Sequence, residues 1–205
     1  MLQSKNVNVI DFKQNQKAIK IADKLLAEAK ANEPKITTDL RRIAALSGAK
    51  MIGLEDRFKS KESLVRKLQD KADYTKIPIE KLAKRNNDTL RYTYLFSEND
   101  YVQRLAPIQA YFEKEDYQIV KIFNAWELAG TAADTGYRGI NMTIISSQKQ
   151  KFELQLHTMK SFKLKNETHG LYEEFRNPQT SEARKIEITD IILTKVRQLK
   201  RPKGL

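Results

Sequence analysis

Apolar residues recur at helical spacing along the first part of the chain and at strand spacing along much of the second. Phe12, Ala18, Ile21, Ala22, Leu25, Leu26 and Ala29 form one stripe, which predicts an amphipathic helix ending at Asn32-Glu33-Pro34. Thr38 or Asp39 can cap a second helix running through Leu40, Ile43 and Leu46 to about Ala49. Ser60-Lys61-Glu62-Ser63 opens a third helix with Leu64, Val65, Leu68 and Ala72 inside it, and Pro78 opens a short fourth through Leu82. The period then changes. Leu90 to Phe96 alternates and is rich in aromatic and β-branched residues, so it reads as a strand. A helix from Asp100 to Lys114 follows, then three strands over Gln118 to Trp126, Gly139 to Ser147 and Lys151 to Thr158. The last two are joined by a short turn near Gln148, and Phe162 to Phe175 and Glu182 to Leu199 return to helix. This order predicts an α+β fold, a mixed, largely antiparallel sheet flanked by helices. It divides into an N-terminal helical extension (1–35), a central domain (36–180) and a C-terminal helix with a basic tail (181–205).

Composition narrows the chemistry. A chain of 205 residues, 40% of them hydrophobic, can bury one sizeable core. Without cysteine there are no disulfides, thiolate metal sites or cysteine nucleophiles, and two histidines leave a zinc site starved of ligands. No segment approaches the roughly 18 apolar residues of a membrane helix, and the N-terminus lacks a signal-peptide core, so a soluble chain is expected.

The net charge of +12 is unevenly spread. Residues 1–85 carry 20 basic and 11 acidic residues, the stretch to 194 is slightly acidic, and the last eleven residues hold five more basic ones. A basic half facing a slightly acidic half suits polyphosphate on one side and a metal on the other. A lysine-rich solvated surface is the plain alternative.

Three stretches carry more polar detail than packing needs. Arg57, Lys59 and Lys61 precede a helix whose first turn holds Ser63, so cations and free backbone N–H groups are expected to converge on one helix N-terminus, with Lys67 on the face of Ser63. Asp88 enters an apolar strand, where a carboxylate is either at the solvent edge or occupied by a cation. Glu153, Gln155 and His157 share one face of a strand whose other face is Phe152, Leu154 and Leu156. That polar face either looks at water or floors an active site in which Glu153 and Asp88 share Mg²⁺ through oxygen ligands.

Taken in order, Arg57-x-Lys59-x-x-Glu62-Ser63-x-x-x-Lys67, then Asp88, then Gly136-Tyr137-x-x-x-Asn141, then Glu153-x-Gln155-x-His157-Thr158 resemble the RelA/SpoT-type alarmone synthetase domain. The resemblance runs from about residue 45 to about residue 177. It implies a nucleotidyltransferase-like sheet that moves pyrophosphate from ATP to the 3′-hydroxyl of a purine nucleotide, giving (p)ppApp or (p)ppGpp. It further implies that Arg57, Lys59 and Lys67 hold ATP, to which the helix start adds Lys61 and Ser63 and the strand face adds Arg91, and that Asp88 and Glu153 are the catalytic carboxylates and Mg²⁺ ligands. Tyr137 would stack on the acceptor base, with Asn141, Gln155, His157 and His169 around the acceptor.

The chain departs from that pattern on the polar face. Asn141 stands where the family has His, His157 where it has Arg, and Thr93 where it has an adenine-packing Arg. Arg91 shares a strand face with Thr93 and is the substitute for contact with the donor base. His169-Gly-Leu-Tyr172 resembles a run found in small and toxin-type synthetases, although its spacing favours a structural helix-surface network. These changes point to the toxin-type branch, with an immunity or antitoxin protein as a partner, action on cytoplasmic ATP, and delivery as part of a larger toxin. Two alternatives stay open: pyrophosphorylation of a tRNA 3′ end, which the basic tail suggests, and a non-catalytic RNA-binding module.

Overall fold

A computed structural model describes residues 4–131 and 134–205. Among them, helix α1 (Ser4–Ser47) leads to strand β1 (Lys50–Ile52), then α2 (Lys61–Thr75), α3 (Ile79–Arg85) and β2 (Arg91–Phe96). Helix α4 (Tyr101–Lys114) precedes β3 (Gln118–Asn124), a 3₁₀ turn over Ala125–Leu128, β4 (Ile140–Ile145) and β5 (Lys151–Thr158). Helices α5 (Met159–Arg176) and α6 (Glu182–Arg197) close the chain. The strands form one sheet in the order β1-β2-β5-β4-β3. Only β2 and β5 run parallel; the other three pairings are antiparallel. This is the α+β plan the periodicity predicts.

The helix break expected at Pro34 is absent. Helix α1 passes through Pro34 without interruption, although proline removes one helical donor. Packing explains why. Ala29 before the proline and Ile36, Leu40 and Ile43 after it are fully or almost fully buried in one core, while Pro34 itself is exposed. Tertiary burial on both sides outweighs the local penalty. Asp39 is therefore no cap. It is a mid-helix carboxylate, buried, that accepts hydrogen bonds from Tyr117 Oη and Lys35 Nζ, each at 2.8 Å.

The other boundaries follow local chemistry. Ser60 caps α2 by accepting from the Ser63 backbone N–H, and Pro78 stands at the N-cap of α3. Thr158 and Ser161 form a reciprocal capping box at the start of α5. Strand β3 ends two residues earlier than Trp126, because the Asn124 side chain accepts from the Trp126 N–H and starts the 3₁₀ turn. Strand β1 is too short for alternation to reveal.

One face of the sheet is apolar. Tyr92, Tyr94, Phe152, Leu154, Leu156 and Ile144 pack there against the second half of α1 and against α4. The tyrosine hydroxyls find partners at its margins: Tyr94 donates to Leu40 O at 2.5 Å and Tyr101 to Leu156 O at 2.7 Å. A second cluster joins the first half of α1 (Ala18, Ala22) to α2 and α3 (Leu64, Leu68, Ile79, Leu82). A third holds α6 on α5 through Ile188, Ile192 and Val196. The opposite sheet face is polar, with α2 near one end and α5 beside it.

Candidate active site

Strand register builds the polar face row by row. Glu153 of β5 lies between Arg91 of β2 and Thr143 of β4. Two residues on, Gln155 lies between Thr93 and Asn141. The alternation of β5 is complete, since Phe152, Leu154 and Leu156 on the other side are fully buried.

Asp88 does not lie within a strand. It sits three residues before β2, where Lys59 Nζ donates to one carboxylate oxygen at 3.1 Å and Lys67 Nζ to the other at 2.5 Å. Lys67 also donates to Asn86 Oδ1 at 3.0 Å. Burial raises the Asp88 carboxyl, but the two ammonium groups outweigh it and hold it down at about 2. Burial lowers Lys59, with Asp88 opposing. The cations predicted to converge on the start of α2 instead part company. Lys59 goes to Asp88, Arg57 Nε to Glu33 of α1 at 2.7 Å, and Lys61 Nζ to Asp23 of α1 at 2.9 Å. Each finds a different carboxylate because each leaves the chain in a different direction. Ser63 serves α2 through its backbone N–H, within the cap.

In the centre of the face, Glu153 Oε1 accepts from Gln155 Nε2 at 2.5 Å, and Gln155 Oε1 accepts from Lys165 Nζ of α5 at 2.6 Å. The relay fixes which way the glutamine amide points and clamps one oxygen of Glu153. Lys165 is lowered by burial and by Arg91, with Glu153 pulling the other way. It was not legible as a site residue, because only the docking of α5 brings it to a strand ten residues earlier.

At the β4 end, Tyr137 Oη donates to Asn141 Oδ1 at 2.6 Å and meets His157 Nε2 at 2.9 Å. Ser161 Oγ lies 3.0 Å from His157 Nδ1, so both ring nitrogens have a polar partner. His157 is wholly buried, so the substrate contact expected of it is unavailable; it holds Tyr137 in place. Burial, and then the nearby Lys165, push its imidazole down to about 3. Two glycines admit this arrangement. A Cβ at Gly139 would lie 2.8 Å from the His157 ring, and one at Gly136, whose φ is +79°, would lie 2.1 Å from Ile192 of α6. The Gly136 turn is also tied by Asp134, which is ion-paired to Arg138 at 2.7 Å with both side chains buried.

His169 is exposed on α5, one turn beyond Lys165 on the same face. Nearby, Glu173 bridges to Arg66 of α2 at 2.9 Å, and Arg176 lies 5.7 Å from the Tyr172 ring. Arg57, at 5.0 Å over the Phe58 ring, stands at the α1 side of the face. The structure thus gathers Lys59, Lys67, Asp88, Arg91, Glu153, Gln155, Asn141 and Tyr137 around one sheet face, and leaves Lys61 and His169 at its periphery. A cavity of about 340 Å³ lies elsewhere, between the 3₁₀ turn and α6.

No protein-family model and no curated protein matches the sequence. Solved structures do. Over 86% of this chain and 90% of that one, the small alarmone synthetase 1 of Bacillus subtilis aligns with a TM-score of 0.59 at 16% identity. The fold is that of the alarmone synthetases. Small alarmone synthetase 2 of the same organism gives 0.58 at 19% identity, covering 84% of this chain and 89% of that one. The type VI effector Tas1, solved with its immunity protein, gives 0.53 at 19% identity over 86% of this chain and 96% of that one. Synthetase 1 has been solved with its product pppGpp and with AMPCPP.

Proposed function

We propose that the chain transfers the β,γ-pyrophosphate of ATP to the 3′-hydroxyl of a purine nucleotide, forming (p)ppApp or (p)ppGpp. The observation that carries this reading is the cluster at Asp88, where two lysines wait on one carboxylate beside Glu153 on the polar face of an alarmone-synthetase sheet. Phosphoryl-type transfer depends on positioning and charge rather than on covalent catalysis, and this face offers both.

Lys59 and Lys67 exchange Asp88 for the triphosphate, with Arg91 beside them for the donor base. Glu153, clamped through one oxygen by Gln155, takes the proton of the attacking 3′-hydroxyl. The 3′-oxygen forms a bond to the β-phosphorus while the bond from that phosphorus to the α,β-bridging oxygen breaks, and AMP leaves. Tyr137, fixed by Asn141 and His157, stacks on the acceptor base. Among the described residues, no group of three or more His, Asp or Glu forms a metal site. Two carboxylates, Asp88 and Glu153, suit Mg²⁺ that arrives with the nucleotide, since Mg²⁺ is commonly held by one or two carboxylates plus substrate phosphates. Bound there, Mg²⁺ would neutralise the phosphate charge.

Incubation of γ-labelled ATP with AMP, ADP, ATP, GDP, GTP and deacylated tRNA in separate reactions tests the proposal. Label on a mononucleotide is expected, and Glu153→Gln should reduce its rate by about 100-fold or more, the usual scale for a general base. Label on tRNA alone would move the acceptor to the tRNA 3′ end; no label on any acceptor would sink the reaction. Likeness to Tas1 supports a toxin role with an immunity protein as partner, so expression of the wild type and not of Glu153→Gln should arrest growth.

A further inference from the structure

Strand β3 is one edge of the sheet, beyond β4. Its pairing with β4 is regular at Ile119↔Ile144, slips at Val120, and resumes at Lys121↔Thr143 and Phe123↔Asn141. A one-residue slip turns every following side chain to the other face. Without it, Lys121 and Phe123 would join Ile144 and Met142 on the apolar face. With it, Lys121 extends the row of Thr143, Glu153 and Arg91, and Phe123 extends the row of Asn141, Gln155 and Thr93. Phe123 remains 40% exposed there, beside an asparagine that is bonded to Tyr137. An aromatic ring left half in water on a polar face, next to the residues proposed for the acceptor, is a platform looking for a flat apolar partner. Lys121 faces the same opening as Lys71 of α2, which burial lowers first, with Lys67, Lys59 and Lys121 adding to it and Asp88 opposing.

We infer that the bulge at Val120 brings the edge strand into the nucleotide site, with Phe123 stacking on the acceptor nucleobase and Lys121 adding a cation for its phosphates. The inference rests on the pyrophosphate-transfer reading and goes beyond it, since none of the sequence motifs includes β3. The two aromatics divide the work. Tyr137 is immobilised through its hydroxyl, whereas Phe123 has no polar anchor and selects only for a π-face, so it supports affinity without choosing between adenine and guanine.

The test uses the mononucleotide acceptor on which wild-type protein places label, chosen from AMP, ADP, ATP, GDP and GTP. Phe123→Ala is expected to raise KM for that acceptor about 10-fold, within the range alanine substitution gives for base stacking, with KM for ATP unchanged when ATP is not also the acceptor. Phe123→Tyr should restore it. Ile122→Ala, on the same edge strand but paired with Met142 on the opposite face, controls for damage to the strand and should leave acceptor KM unchanged. Equal acceptor KM in wild type and Phe123→Ala, or an equal rise in Ile122→Ala, overturns the inference while leaving the transfer reaction standing. Label on tRNA alone overturns the inference and moves the acceptor, and absence of label on every acceptor, tRNA included, overturns both.

Discussion

His157 shows how one side chain ties stability to pH. Its ring is wholly buried, bonded at both nitrogens, and held neutral down to about pH 3 by burial and by Lys165. In the unfolded chain it titrates near its ordinary 6.5. Between those values the unfolded state binds the extra proton, so stability rises with pH and is lost as pH falls from about 6.5 toward 3. Melting temperature followed across that window should decline, and His157→Gln, lower in stability at pH 7, should flatten the decline; an unaltered slope in the variant would contradict the assignment. The same residue marks the limit of sequence reading at this scale. Alternation along β5 put Glu153, Gln155 and His157 on one face correctly, but it could not tell that His157 lies beneath Tyr137 while Glu153 stays accessible. That difference comes from α5 and from the Gly139 backbone. Lys165 escaped notice for the same reason, having no strand neighbour in sequence.

At the scale of elements, the legible parts were those stated by local chemistry. Ser60 and Pro78 gave helix starts, and strand β5 matched its predicted span. Two failures have opposite causes. Pro34 is a strong local stop that a larger burial overrides, and the slip in β3 is a weak local irregularity with a large consequence, since nothing in Gln118–Asn124 announces which face Phe123 will take. Because Pro34 is exposed, its role in α1 can be read as a local penalty. Pro34→Ala restores a helical donor and should stabilise the protein by about 1 to 3 kcal/mol, the upper figure being the interior propensity difference. Thermal denaturation checks it. A fall in melting temperature would mean that Pro34 sets the place of Glu33, which accepts from both Thr37 and Arg57.

Across the whole molecule, the charge distribution differs from the one expected. The sheet face is not an acidic counterpart to a basic N-terminal half: Arg91, Lys121 and Lys165 join Lys59, Lys67 and Lys71 around the carboxylates of Asp88 and Glu153, with Asp56 also near Lys165. Many of the N-terminal cations are meanwhile neutralised nearby, as in Lys61 with Asp23, Arg57 with Glu33 and Lys17 with Glu80. What keeps the remaining cations aimed at one place is a separate apolar cluster. Lys67 rides on α2, and α2 is held to the first half of α1 by Leu64 and Leu68 against Ala18 and Ala22. The two halves of α1 therefore serve different ends, one supporting the sheet and one supporting the helix that supplies Lys67. Leu68→Ala removes a side chain that is almost fully buried, at a cost of about 2 to 5 kcal/mol. It should lower the melting temperature and loosen α2, so that KM for ATP rises while KM for the acceptor, bound at the β4 end, stays within error. An acceptor KM that rose in step would show that the two ends of the face move as one.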